Sequence, residues 1–247
     1  MSGDAADTTA DDRSLSTLRR HLARTLEVLR GADLEVRPFL PGEDGPLAPF
    51  DPPADHDEIE RYWVNPPYAY VVITYDTESD NHVYHVVEPE LDDFEFDLLQ
   101  RIVDDIRDPL LYRDDPGEAD DDRLRDELTA LLEQYGVDAS MRTFHSLLYY
   151  LRRDFRGYGK IDALLSDRHI EDISCDGYDL PIFVYHDTYT DIETNVVFGP
   201  DELDNFVIRL AQRSGQHISV GDPVVGTTLP DGSRAELALG EEVTPRG

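Results

Sequence analysis

The sequence predicts an α+β protein in which an N-terminal helical and hairpin adaptor precedes an α+β sheet domain with a helix on one face. Leu, Ile and Phe recur at helical spacing between residues 90 and 156 and again at 201–213. A hydrophobic content of 40% is sufficient for a buried core despite a formal net charge of −32. Short runs of β-branched and aromatic residues, typical of strands, occur at 68–75, 82–87, 170–175, 182–186 and 191–198.

Residues 1–57 are predicted to combine a disordered tail, a short helix and a proline-rich linker. Residues 1–12 are small, polar and acidic, a composition that does not build a core. Residues 15–29 carry leucines at helical spacing and several arginines. These arginines form either a solvated face or a docking surface for an acidic partner. The prolines between residues 38 and 53 predict a linker or an extended wrap.

Residues 58–156 are predicted to form a hairpin plus a helical adaptor. A short helix is expected at 58–63, before two strands joined by the turn at 76–81. His82 and His85 would lie on opposite faces of the second strand, which argues against a shared metal site. Three amphipathic helices are expected to follow, at 90–107, 123–135 and 140–156.

Residues 157–247 are predicted to form the sheet domain. A helical turn at 161–165 leads into three strands, an amphipathic helix at 201–213 and a final hairpin. The hairpin strands, 224–229 and 234–239, are joined by the turn "PDGS", in which Gly232 can adopt a positive φ. Cys175, the single cysteine, is expected to be a small buried core residue.

The charge composition indicates adaptation to multimolar salt. The chain has 54 acidic and 22 basic residues, and every basic residue except Lys160 is arginine. Concentrated salt screens the repulsion among so many carboxylates, and an acidic surface keeps the protein hydrated. A polyacidic mimic of nucleic acid is the rival interpretation, but the acids are spread along the whole chain rather than confined to a tail.

This composition also excludes several classes of partner. Binding to nucleic acid or anionic lipid requires clustered basic residues, so neither is expected. No stretch approaches the apolar length of a membrane span, and no apolar signal region begins the chain. We therefore expect a cytoplasmic protein that reaches the inner face of the membrane only through a partner.

The chain lacks the motifs of familiar enzymes. A P-loop requires glycine five residues before the glycine of Gly159–Lys160 and Ser or Thr after the lysine, but Asp154 and Ile161 occupy those positions. The acidic segment at 113–122 lacks the spacing of a calcium-binding EF-hand loop. We predict no catalytic residue and no metal ligand.

Two arginines are candidates for contact with a ligand. Arg234 follows the glycine turn of the final hairpin, and Arg213 lies at the end of the preceding helix. A fixed guanidinium beside a turn can make bidentate contacts with a phosphate group. A surface ion pair with one of the many acids is the alternative for each.

The strings "GYGKIDALLSDRHIEDISCDG", "PIFVYH" and "TTLPDGSRAELALG" resemble the region before the ATPase core in archaeal type II/IV secretion-system ATPases. Members of this secretion protein E family drive assembly of pili and archaella. The strings "RYWVNPPYAYVVI" and "YHVVEPEL" are similar to the family's more N-terminal adaptor. The resemblance covers roughly residues 58–246. The family's RecA-like core, with its Walker motifs, would begin after Gly247.

The resemblance implies a regulatory and oligomerising role in a hexameric ATPase that powers pilus, archaellum or secretion assembly. It implies that Arg234, and less directly Arg213, approach nucleotide phosphates in the cleft of the ATPase core. ATP and Mg²⁺ would bind only with that core, so this chain alone is expected to be inactive. A membrane platform protein would be a further partner. A non-enzymatic scaffold or interaction module in a halophile is the alternative.

Overall fold

A computed structural model describes residues 37–111 and 121–240, with side chains omitted at 107–111. The predicted tail and helix within residues 1–36, most of the acidic segment at 113–122, and residues 241–247 lie outside the described residues. The α+β class is confirmed, because helices accompany a mixed six-stranded sheet. The chain divides into two compact units, one comprising Met1–Phe39 and Asp92–Leu148, the other Leu40–Leu91 and Tyr149–Gly247.

We number the helices in chain order and begin with the short helix that precedes the first strand. Among residues 37–111 and 121–240, the α-helices are α1 (Pro41–Asp44), α2 (Asp93–Leu111), α3 (Asp121–Tyr135), α4 (Met141–Phe155), α5 (Asp162–Ser166) and α6 (Pro200–Arg213). The strands in the described part of the chain are β1 (His56–Asn65), β2 (Ala69–Asp76), β3 (Asn81–Val87), β4 (Ile170–Ser174), β5 (Pro181–His186), β6 (Thr190–Val197), β7 (Val224–Thr228) and β8 (Arg234–Ala238).

The first unit contains α2, α3 and the beginning of α4. Helix α2 starts where Asp92 and Glu95 cap each other, since each side chain accepts the backbone N–H of the other residue, at 2.8 and 3.0 Å. Helix α3 buries Leu124, Leu128 and Leu132, spaced four residues apart on one face. The three helices predicted from leucine spacing are confirmed, with boundaries shifted by a few residues.

The second unit is built on one six-stranded sheet. Its strand order is β1-β2-β3-β6-β5-β4, and every neighbouring pair is antiparallel except β3 with β6. The β2–β3 hairpin therefore shares a sheet with the three strands that follow residue 157, although the sequence assigned the two groups to separate domains. The strands predicted around β2, β3 and β4 to β6 are confirmed.

Strand β2 is the centre of the core, because residues Ala69 to Ile73 are all buried. One face of the sheet packs against α5, α6 and the final hairpin through a large aliphatic cluster. On the other face, Ala48 and Phe50 cover Tyr70 and Val72. The Tyr70 hydroxyl also donates to the Ala48 carbonyl at 2.7 Å. This part of the proline-rich segment thus packs along the sheet, as expected for an extended wrap, and is not a free linker.

Two local predictions were wrong. The segment expected to be a helix at 58–63 lies inside β1, an edge strand that pairs with β2 through two register irregularities. Backbone pairing with β2 outweighs the helix propensity of these residues. Cys175 is exposed rather than buried, because it follows β4, a short edge strand whose side chains are mostly exposed.

The final hairpin, β7 and β8, forms a separate two-stranded sheet. Gly232 in its turn has φ of +94°, which confirms the predicted positive φ. Within the described ranges, no helix has both the length and the apolar character needed to cross a membrane.

Candidate functional site

A cleft of the sheet unit lies between edge strand β4, helices α5 and α6, and the final hairpin. It has a volume of about 1160 Å³. Buried aliphatic side chains form its floor, among them Leu164, Ile182 and Leu210. Polar side chains, among them Thr227, Thr228 and Ser233, line the rest of the cleft, so a ligand would meet both apolar and polar groups.

The cleft rim carries charges of both signs. Glu171 and Asp172 extend from β4, while Arg234 and Glu236 extend from β8. Arg234 is the one basic residue among the described residues that line the cleft. The rim can therefore offer a single guanidinium to an anionic ligand, flanked by carboxylates that would repel the same ligand.

Local structure accounts for the position of Arg234. The Asp231 carboxylate accepts the Ser233 N–H at 3.0 Å, and the backbones of Leu229 and Ser233 are hydrogen bonded across the turn at 2.8 Å. Arg234 is exposed as the first residue of β8, and its guanidinium makes no ion pair or hydrogen bond with any described residue. The surface ion pair considered as the alternative is thus not formed in the described part of the chain.

Arg213 has a different environment. Its guanidinium donates to the carbonyls of Arg156, at 2.7 Å, and Gly157, and it lies 4.6 Å from the centre of the Tyr158 ring. These contacts attach the end of α6 to the turn that follows α4. Arg213 does not line the cleft, so the structure does not bring the two candidate arginines into one site. A phosphate contact by Arg213 stays a prediction.

Lys160, the single lysine, is also engaged. Its ammonium group donates to the Glu202 carboxylate at 2.7 Å and to the Val197 carbonyl at 2.9 Å. It lies 5.3 Å from the centre of the Phe198 ring. Lys160 therefore attaches the turn before α5 to the beginning of α6.

A buried carboxylate in the sheet unit was missed at the sequence level. Asp167, only 5% exposed, accepts hydrogen bonds from the hydroxyls of Tyr62 and Tyr84 at 2.7 and 2.8 Å, and from the His169 N–H at 2.9 Å. Burial and this carboxylate raise the pKa of both tyrosines far above their usual value. The hydroxyls thus remain protonated donors, and three donors compensate the buried charge.

His186 lies beside this carboxylate. Its Nε2 is 3.3 Å from the Tyr62 hydroxyl, and its Nδ1 accepts the Thr188 N–H at 3.1 Å. Burial lowers the pKa of His186, although Asp187 and Asp167 act in the opposite direction. No local sequence signal indicates these contacts, because Tyr62 and Asp167 are 105 positions apart.

Comparison with known proteins identifies a family match and several relatives. Residues 16–90 match a family described as PilB3-like, N-terminal. The uncharacterized protein MJ1288 of Methanocaldococcus jannaschii is 37% identical over 180 residues, which cover 71% of this chain and 71% of that protein.

Two further relatives from the same organism are matched over a smaller part of their own length. The uncharacterized protein MJ0781 is 26% identical over 174 residues, which cover 68% of this chain but 23% of that protein. The uncharacterized protein MJ0900 is 34% identical over 101 residues, which cover 40% of this chain and 18% of that protein.

Proposed function

We propose that this chain is a regulatory and oligomerising module of a motor for pilus, archaellum or secretion assembly. The premise is that the chain belongs to the same family as the uncharacterized protein MJ1288 of Methanocaldococcus jannaschii. The match of residues 16–90 to the PilB3-like N-terminal family carries this proposal. That match links the chain to the N-terminal region of pilus and secretion ATPases.

The longer relatives support a modular role. The matched region makes up only 23% and 18% of MJ0781 and MJ0900, so in both proteins it accompanies a much larger additional sequence. We propose that this chain likewise works with a RecA-like ATPase core, which would supply the phosphate-binding loop and hold ATP and Mg²⁺. The assembly would be a homo-hexamer, coupled to a membrane platform protein.

Arg234 would be the contact between the module and the nucleotide. Arg234 follows a hydrogen-bonded turn, and its guanidinium is exposed. No ion pair with a described carboxylate has to break before this guanidinium can bind a phosphate. Closure of the module over a neighbouring core would bring this positive charge to the phosphate oxygens. An arginine supplied in this way stabilises the charge that develops during phosphoryl transfer.

The test is ATP hydrolysis by the chain assembled with a RecA-like secretion ATPase core. We expect Arg234→Ala to lower turnover by roughly a hundredfold or more, the range known for arginines that stabilise a phosphoryl-transfer transition state. Arg209→Ala is the matched control, since Arg209 is exposed on α6 but does not line the cleft. Equal turnover of the Arg234→Ala variant and the unaltered protein would refute the phosphate contact.

A non-enzymatic scaffold or interaction module is the second candidate. One observation favours it, because the shared region makes up 71% of MJ1288 and therefore most of that protein. The same assay separates the two candidates. A scaffold would bind its partner without changing the rate of ATP hydrolysis, whereas a motor module would change that rate. The chain without a core is expected to hydrolyse no ATP in either case.

A further inference from the structure

An imidazole and two carboxylates meet where β1 begins and β2 ends, far along the chain from Arg234. His56 begins β1 and Asp76 ends β2, and the two residues are direct cross-strand partners. Asp55 immediately precedes His56. One ligand atom from each of these three side chains lies within 4.8 Å of the other two. We refer to these residues as the Asp55–His56–Asp76 cluster.

The backbone holds both carboxylates near each other. The Asp55 carbonyl accepts the Thr77 N–H at 3.0 Å and the Thr77 hydroxyl at 2.9 Å, which keeps Asp55 beside the end of β2. The Asp76 carboxylate is oriented by the Glu78 N–H at 2.8 Å and the Ser79 hydroxyl at 2.5 Å. Asp76 Oδ1 also accepts the Ser79 N–H at 3.3 Å, whereas Oδ2, which lies 4.0 Å from His56 Nε2, keeps a lone pair available, as a metal ligand requires.

His56 is held by a residue outside the cluster. Its Nδ1 is 2.8 Å from the hydroxyl of Thr74, which is completely buried and lies 2.9 Å from His85 Nε2. When His56 Nδ1–H donates to Thr74, the Thr74 hydroxyl can donate to His85, and the lone pair of His56 lies on Nε2. Metal-binding histidines usually have this arrangement, in which the other ring nitrogen donates to a fixed acceptor.

The spacing of the ligand atoms suits a metal ion better than a direct ion pair. His56 Nε2 lies 4.0 Å from Asp76 Oδ2, which is too far for a hydrogen bond. Two ligands of a tetrahedral zinc ion, each about 2.0–2.1 Å from the metal, are about 3.3 Å apart. An ion could therefore occupy the gap after the side chains move by less than about 1 Å. Two carboxylates and a neutral imidazole would balance its double positive charge.

A second group of potential ligands lacks these properties. His169, His186 and Asp187 also lie close together. However, His169 Nδ1 is hydrogen bonded to Asp187 at 2.8 Å, and His186 Nδ1 accepts the Thr188 N–H. A ring nitrogen has only one lone pair, so His186 Nδ1 would have to lose its backbone donor before it could bind a metal. The Nδ1 atoms of His169 and His186 are thus already used in hydrogen bonds and are not free to bind a metal ion.

We propose that the Asp55–His56–Asp76 cluster is a binding site for a first-row divalent transition-metal ion such as Zn²⁺. His56 Nε2 and one oxygen from each aspartate are the three protein ligands, which leaves a fourth position for water. The imidazole favours such an ion over Mg²⁺ or Ca²⁺, which prefer all-oxygen ligands. The site is independent of the proposed motor function.

Calorimetric titration of the chelator-treated chain with Zn²⁺ tests the site, with excess Mg²⁺ present to occupy the many surface carboxylates. We expect one strong site per chain and at least tenfold weaker binding in Asp55→Asn and His56→Ala. Asp55→Asn is the decisive variant, because the Asp55 side chain has no hydrogen-bond partner among the described residues and its loss should not affect folding. His169→Ala is the matched control and should bind Zn²⁺ as the unaltered chain does.

A second readout uses thermal unfolding. Zn²⁺ should raise the unfolding temperature of the unaltered chain and of His169→Ala, because an ion that binds only the folded state stabilises it. It should leave the unfolding temperature of Asp55→Asn nearly unchanged. Zinc binding that is lost in His169→Ala but kept in Asp55→Asn would overturn the proposal, as would the absence of any site stronger than the Mg²⁺-blocked background.

Discussion

Arg213 and Arg234 carry the same functional group, but the fold gives them different partners. Arg213 donates to two backbone carbonyls and lies over Tyr158, so its guanidinium connects two elements of the sheet unit. Arg234 makes no such bond with the described residues and lines the cleft. For a phosphate ligand, the cost of binding includes breaking existing contacts, and this cost is lower for Arg234.

Protonation of His186 should make stability depend on pH. Burial keeps its pKa in the folded chain below the usual value of about 6.5, so the unfolded chain binds a proton more readily. The free energy of unfolding should therefore fall as the pH drops from 7 through about 6.5 toward the folded-state pKa. Urea denaturation at a series of pH values measures this loss.

His186→Asn provides the comparison, because an asparagine oxygen can replace Nδ1 as acceptor for the Thr188 N–H. The groups that face His186 are the carboxylates of Asp187, Asp167 and Glu60 and the ring of His169. The variant keeps all four and removes only the titrating imidazole. It should lose less stability than the unaltered chain between pH 7 and 5. Identical pH dependence in the two proteins would show that His186 does not cause the loss of stability.

At the scale of one element, the final hairpin depends on the backbone conformation of its turn. Gly232 has φ of +94°, which side chains rarely tolerate, so Gly232→Ala should destabilise the chain by about 1–3 kcal/mol. Gly226→Ala, in the same hairpin, adds a methyl group that meets no atom within 4 Å and should change stability by only a few tenths of a kcal/mol. Chemical denaturation of the two variants measures both effects. Equal stability of the two would contradict the role of the turn.

Some helices and strands of this chain could be predicted from the sequence. The helices of the first unit and the β2–β3 hairpin follow from the local periodicity of their apolar residues, a signal that consecutive positions carry. The segment at 58–63 has a helix-like composition, yet it becomes part of edge strand β1 through pairing with β2. The position of Arg234 after a glycine turn was predictable because that signal lies in a few consecutive residues, and its phosphate contact stays a prediction.

Groups assembled from distant positions could not be predicted. The Asp167 carboxylate meets Tyr62 across 105 positions and Tyr84 across 83. His56 and Asp76 become neighbours only through the register of β1 and β2. Each of these residues alone is indistinguishable from an ordinary surface acid, histidine or tyrosine. Strand pairing brings His56 to Asp76, whereas tertiary packing brings Asp167, which lies between α5 and β4, to the two tyrosines.

At the scale of the whole molecule, the net charge of −32 should control stability. The Debye length is about 3 Å at 1 M salt and about 30 Å at 0.01 M, so dilution exposes each carboxylate to the repulsion of many others. We expect the chain to be folded in molar KCl and to unfold during dialysis to low salt. Near-UV circular dichroism across the salt series measures this transition. A retained near-UV signal at low salt would contradict adaptation to multimolar salt.

The parallel pairing of β3 with β6 has a consequence for synthesis of the chain. Val83 pairs with Glu193, so the two halves of the sheet meet only after about a hundred further residues have been translated. At roughly 5–20 residues per second, β3 waits several seconds for its partner on the ribosome. During that interval the hydrogen-bonding edge of β3 is open to other strands. Slower translation would lengthen the time for which this edge of β3 has no partner strand.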